Sequence, residues 1–201
     1  MAESGGKMRL FLVRHGETDW NIKNKIQGQT DTPLNEKGRQ QADKLASELG
    51  KGYHIKKIYA SGMARAWETA NIVGEALGIV PRRKEGLEEI NFGKWEGYTW
   101  KQVKESFPEE YLVWQKNRRY QVPPMGESYQ QLLGRILPAL DDIIQAEEED
   151  TLVVTHSAVI MTLLSFLHDT PFEDMARNYK TGNVGIVELN QDLFYQRYEN
   201  Y

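Results

Sequence analysis

Four short apolar runs constrain this chain more than any other feature. Met8–Val13, Lys57–Ala60, Thr151–Thr155 and Val184–Leu189 are rich in β-branched or aromatic residues and alternate with stretches of helical spacing. Strands interleaved with helices in this way build an α/β fold around a largely parallel sheet. Between the first two runs, Leu34, Ala42, Leu45 and Leu49 fall near helical spacing, with Asn35 placed to cap the start and Gly50 the end. A second helix is expected over Met63–Leu77, with Ser61 as its cap, Ala66, Ala70, Val73 and Leu77 on one stripe, and Gly78 as the stop. A third, Ser128–Ala146, carries a strong apolar face through Leu132, Leu133, Ile136, Leu140 and Ile143, and Pro138 is expected to kink it. The run Glu147–Asp150 then reads as a solvated turn before the third strand.

A chain of 201 residues suits one compact domain, taken here as 8–201, with the small polar segment 1–7 set aside as a disordered tail or cloning remnant. Hydrophobic residues at 40% and charged residues at 27% exclude a disordered chain. No apolar run approaches the roughly 18 residues of a spanning helix, and the first residues lack a signal peptide's apolar segment, so no membrane partner and a cytoplasmic location are expected. The absence of cysteine excludes disulfides, thiolate metal sites and a cysteine nucleophile together. A formal net charge of −4 argues against a broad nucleic-acid surface, so individual arginines need a local explanation.

That explanation lies at the strand ends. The first run leads into Arg14-His15, the second through Ser61 into a helix bearing Arg65, and Leu152–Thr155 into His156. In a parallel sheet such carboxyl ends lie along one edge, where ligands bind. Arg65 in the first turn of a helix opposes the macrodipole by about 0.3–1 kcal/mol, and a bound anion reverses that penalty. His54 and His168 stand in no comparable setting and receive surface or capping roles, while the five tryptophans read as packing or pocket walls. The less regular segment 93–126, with Trp95, Trp100 and Trp114, reads as a helical insertion over one edge of the site. No Walker loop, His-Glu-x-x-His pair or calcium-loop spacing is present, so no metal is expected.

Five ordered segments carry a resemblance. They are Leu12–Asn21 (Leu-Val-Arg-His-Gly-Glu-Thr-Asp-Trp-Asn), Gln27–Asn35, Ala60–Ala66, Leu87–Gly97 and Val154–Ser157. In these the chain resembles the histidine phosphatase superfamily, branch 1, which also contains the cofactor-dependent phosphoglycerate mutases. The resemblance implies a three-layer α/β/α sandwich of the phosphoglycerate mutase type. It also implies that His15 is the nucleophile, that Arg14, Arg65 and His156 hold the phosphoryl oxygens, and that Asn21, Gln27, Gly28 and Ser157 complete the phosphate-binding set. Glu89 becomes the acid for the leaving group, because the family's acid stands four residues before the glycine of the Phe-Gly pair; the neighbouring Glu88 is the competitor. Ser157 and Ala158 depart from the glycines that commonly follow the second histidine.

Physical chemistry supports these roles independently. Guanidinium groups supply planar, paired donors to phosphate oxygens. Neighbouring cations are expected to depress the pKa of His15, and a backbone carbonyl such as that of Gly16 to hold its other ring nitrogen as donor. His156 is expected to donate hydrogen bonds and to be the more protonated of the two in the complex. Glu89 must be protonated towards the leaving group and ionised towards water, which a raised pKa allows. The expected function is metal-independent, cofactor-free hydrolysis of a small phosphorylated metabolite through a phosphohistidine, by a monomer or homodimer. A phosphoglycerate mutase needing 2,3-bisphosphoglycerate is the alternative: Arg118-Arg119-Tyr120 resembles the mutases' paired arginines, whereas Gly126-Glu127-Ser128 followed by Arg135 resembles the phosphatases. A non-catalytic phospho-ligand module would be expected to lack His15, Glu89 or His156, and all three are present.

Overall fold

The structure, a computed structural model, describes residues 8–201. The expectation for 1–7 lies outside these residues. Among the described residues, strands β1 (Leu10–Arg14), β2 (Lys57–Ala60), β3 (Arg82–Arg83), β4 (Thr151–Thr155) and β5 (Ile186–Glu188) form one sheet in the order β3-β2-β4-β1-β5. All neighbouring pairs are parallel except β1 with β5. The helices are α1 (Asp19–Ile22), α2 (Glu36–Gly52), α3 (Ala64–Leu77), α4 (Trp100–Ser106), α5 (Pro108–Lys116), α6 (Tyr129–Ala146), α7 (Ser157–Leu167), α8 (Met175–Asn178) and α9 (Gln191–Tyr198).

Strand pleating divides the core into the expected layers, since successive side chains point to opposite faces. Phe11, Val13, Leu152 and Val154 pack with Leu45 and Leu49 of α2 and Ala70 and Val73 of α3. Leu10, Leu12 and Val153 face the other way, against Ile136 and Leu140 of α6 and Ile160 and Leu163 of α7. The apolar stripes read from the sequence are therefore the faces that cover the sheet.

Element ends differ from expectation where tertiary contacts intervene. Helix α2 runs past Gly50 to Gly52, because Tyr53 in extended conformation closes it with its N–H on Leu49 O at 3.0 Å. Ser61 is not the cap of α3: the cap residue is Met63, whose side chain bonds nothing there, and the free Ala64 N–H donates instead to Asp31 Oδ1 at 2.7 Å. Helix α6 continues through Pro138, with Ser128 and Gln131 forming a capping box. The last strand starts only at Ile186, because Val184 sits at φ 53 and a β-branched residue there cannot continue a strand. The exposed two-residue β3 had no apolar run to announce it. Within the acidic run, Glu147 is not solvated: its carboxylate accepts from Tyr59 Oη at 2.7 Å.

Register brings the strand ends level. Arg14 lies opposite Thr155, and Ala60 opposite Val154. The chain then leaves all three strands together, with His15 N–H on Thr155 O and Ser61 N–H on Val154 O, each at 3.0 Å. Segment 93–126 supplies a 3₁₀ turn (Gly93–Trp95), α4 and α5, with Trp95 and Trp114 buried edge-to-face at 5.3 Å.

Candidate active site

The loop after β1 is fixed by close backbone contact. A Cβ on Gly16 would lie 2.5 Å from Gly38 O, so the start of α2 rests directly on this loop. Thr69 Oγ1 of α3 accepts from Gly16 N at 3.1 Å, and Asn183 Nδ2 donates to His15 O at 3.0 Å. His15 is thereby buried with its ring pinned on both sides. Nδ1 meets Gly16 O at 2.7 Å, which sets Nδ1 as the donor. Nε2 then carries the lone pair, and Arg65 Nε donates to it at 3.2 Å. Burial first, then the charges of Arg65 and Arg14, hold the His15 pKa well below the ordinary histidine range.

Arg65 is itself fully buried in the first turn of α3, where its guanidinium donates to Gly28 O at 2.7 Å and Thr30 O at 3.0 Å. Two carbonyls offset the unfavourable end of the helix dipole. Gly28 presents its carbonyl from φ 53, and a Cβ there would overlap the Glu96 carboxylate. Glu96 in turn accepts from the N–H groups of Gln29 and Thr30, so this motif glutamate shapes the phosphate-side loop. His156 is fully buried at the start of α7, its ring centroid 5.3 Å from that of His15. Its Nε2 lies 2.8 Å from Ser61 Oγ, whereas Nδ1 is buried and meets no partner among the described residues. Burial, then Arg65, His15 and Arg135, lowers its pKa as well, so in the unliganded chain both imidazoles are neutral at pH 7.

Glu89 projects from the loop after β3 towards the N-terminus of α7, accepting from Ile90 N at 3.1 Å and Ala158 N at 3.3 Å. Burial raises its pKa, against the opposing effect of Arg65. Glu88 points elsewhere, its carboxylate taking Gly86 N at 2.9 Å. What holds this loop had no role assigned from its residue type or spacing. Arg135 donates to Gly86 O, Glu88 O and Glu89 O at 3.0, 2.7 and 2.9 Å, and is itself held by both carboxylate oxygens of Glu127. Only its place after Gly126-Glu127-Ser128 hinted at it.

One cavity of about 420 Å³ gathers Arg14, His15, Asn21, Gln27, Gly28, Glu89 and Ser157. Arg65 and His156 stand behind His15 rather than in the wall. Arg14 donates to Thr181 O at 3.0 Å and leaves Nε unpartnered. Asn21 and Gln27 both have the amide oxygen engaged, by Thr18 N at 3.0 Å and by Thr18 Oγ1 at 3.0 Å respectively. Their amide nitrogens are the groups left for an oxyanion. The two arginines that resembled a mutase clamp diverge: Arg118 lines the cavity, stacked on Trp114 at 4.6 Å, while Arg119 donates to Gln130 Oε1 at 2.8 Å and lines a different depression. His168 caps α7 and stacks on Tyr179, outside the cavity. No cluster of potential metal ligands and no helix long and apolar enough to cross a membrane occurs among the described residues.

The sequence family described as the histidine phosphatase superfamily (branch 1) matches residues 10–199. Phosphoglycerate mutase-like protein 4 of Arabidopsis thaliana is 38% identical over 157 residues, covering 77% of this chain and 68% of that protein. A metal-independent phosphoserine phosphatase of the same plant is 36% identical over 158 residues, covering 77% and 66%. The solved mycobacterial glucosyl-3-phosphoglycerate phosphatase in complex with VO3 superposes with a TM-score of 0.80 at 31% identity, covering 91% of each chain. The chain belongs to branch 1 of the histidine phosphatase superfamily and is one of its phosphatases.

Proposed function

We propose that this phosphatase hydrolyses a small phosphomonoester through a phosphohistidine on His15, without metal or organic cofactor. The observation that carries the reading is one cavity holding a buried imidazole with its Nε2 lone pair set by the Nδ1–Gly16 bond and, across it, a carboxyl whose pKa burial raises. Phosphoryl oxygens take the place of His15 Nε2 as partner of Arg65 Nε, and collect Arg14 Nε, His156 Nδ1 and the amide nitrogens of Asn21 and Gln27. Backbone amides at the start of α7, around Ser157, complete the cradle. Nε2 attacks phosphorus in line, the P–O ester bond breaks, and the departing oxygen takes the Glu89 proton. Glu89, now ionised, removes a proton from water, whose oxygen attacks phosphorus and releases phosphate and free His15. A single residue serves both half-reactions because burial raises its pKa, so that it gives a proton to the leaving oxygen and takes one back from water. A cytoplasmic location, a single domain over 8–201 with segment 93–126 as a helical insertion over the active site, and a monomeric or homodimeric state belong to the same proposal.

The test is a panel of phosphomonoesters, with and without 2,3-bisphosphoglycerate, read for free phosphate and for isomerised phosphoglycerate. Phosphate release with an acid-labile phosphoenzyme that disappears in His15→Ala is expected. Rapid isomerisation with negligible phosphate release would overturn the assignment in favour of a mutase, and an undiminished phosphoenzyme in His15→Ala would reject the nucleophile.

A further inference from the structure

The cavity has two chemically distinct poles. At the strand ends stand all of its amide side chains, Asn21 and Gln27, and its one carboxylate, Glu89. The remaining wall, from α4, α5, α6, α7, α8 and the chain after α1, is aromatic and thioether in character, with Trp100, Trp114, Tyr111, Tyr129, Met161 and Met175. Trp100 lies flat against Trp114 at 5.2 Å and 18°, leaving 39% of itself exposed at the mouth. Such a surface matches a flat apolar body.

Its polar atoms are almost all donors. Lys25, Lys104 and Arg118 reach this wall, and none has a carboxylate within ion-pair distance among the described residues. Arg118 Nε and Trp114 Nε1 are buried without a hydrogen-bond partner among the described residues. Among the side chains of this wall, the acceptors are the phenolic oxygens of Tyr111 and Tyr129 and, weakly, the thioethers of Met161 and Met175. An ammonium group brings a like charge and three donors to a wall that already carries Lys25, Lys104 and Arg118, which disfavours it there. A group bearing an anionic acceptor meets the ammonium and guanidinium donors of Lys25, Lys104 and Arg118 instead.

From this complementarity we infer that the substrate is the phosphate ester of an aromatic or similarly flat apolar alcohol bearing an anionic acceptor group, a carboxylate or equivalent, at the end remote from the ester. The assignment rests on the phosphatase reading above. Phosphoserine suits this wall less well than a flat aromatic acid, because its ammonium would meet Lys25, Lys104 and Arg118 and it offers no ring to the aromatic side chains.

Benzyl phosphates test it, since a para substituent beyond the methylene changes the leaving alcohol little. The expected order of kcat/KM is 4-carboxybenzyl, then 4-methylbenzyl, then 4-(aminomethyl)benzyl phosphate, with roughly tenfold or more between first and last. Glycerol 3-phosphate and phosphoserine are expected below 4-methylbenzyl phosphate. The carboxyl-to-aminomethyl ratio narrows in Arg118→Gln, and in Lys104→Gln, an exposed position where folding is not at stake. Equal or faster turnover of phosphoserine or of the aminomethyl ester overturns the substrate class while leaving the phosphatase intact. Phosphate release from none of the esters overturns both.

Discussion

His15, His156 and Glu89 are three buried titratable groups within one site, and burial shifts the pKa of each towards its neutral form. For Glu89 this sets function against stability. Its pKa in the folded chain lies above the unfolded value of about 4.3, so the unfolded chain loses its proton first and stability falls as pH rises through the folded value. Glu89→Gln removes that charge and keeps an oxygen for the Ile90 or Ala158 N–H. The variant is expected to unfold later in urea at pH 7.5, by roughly 0.5–2 kcal/mol. Its turnover of alkyl phosphates is expected to collapse. An unchanged or lower stability would show that the Glu89 carboxylate is favourably held. At this scale the sequence was informative: Arg14, His15, Asn21, Gln27, Gly28, Glu89 and Ser157 all reach one cavity. Ser61 was misread as a cap because a serine before a helix fits that pattern, whereas its Oγ sits against His156, ninety-five positions away.

Elements carry the site through their ends. Helix α7 begins at the phosphate pole and aims the Ala158 N–H at Glu89, while α6 contributes Arg135 from its second turn to fasten the Glu89 loop. Arg135 is not itself in the cavity lining and does not bond His15; it acts through the main chain of Glu89, which makes it a positioning residue. In Arg135→Met, three loop carbonyls lose their donors and Glu127 its cation, so destabilisation of about 2–3 kcal/mol is expected. The distinguishing readout is the leaving group. An alkyl phosphate needs the Glu89 proton and 4-nitrophenyl phosphate does not, so kcat/KM for the alkyl ester is expected to fall at least tenfold further. Equal losses on both esters would reduce Arg135 to a structural role. The four apolar strands and helices α2, α3 and α6 were legible from apolar periodicity; β3, α1, α7, α8, α9 and several element ends were not. Asp31 capping α3 and Val184 delaying β5 are long-range or conformational facts with no local signature.

For the molecule as a whole, the two buried imidazoles make stability depend on pH. Both have folded pKa values below the unfolded value of about 6.5, so below that pH the unfolded chain binds more protons and folding is penalised. Urea midpoints are expected to fall as pH drops from 7 towards 5. The slope is at most about 1.4 kcal/mol per pH unit for each histidine, and levels off below the folded values. His15→Gln is expected to flatten the curve, and an identical slope in that variant would remove His15 from the linkage. What the chain determined by itself was the alternation of strands and helices, the buried stripes and the anion-suited residues at strand ends, because periodicity and motif spacing are local properties. The tertiary structure decided the order β3-β2-β4-β1-β5, the turning of Arg118 into the cavity and of Arg119 away from it, and the donor-rich aromatic wall. Those depend on which distant surfaces pack together, and packing is settled by the competition among all contacts at once.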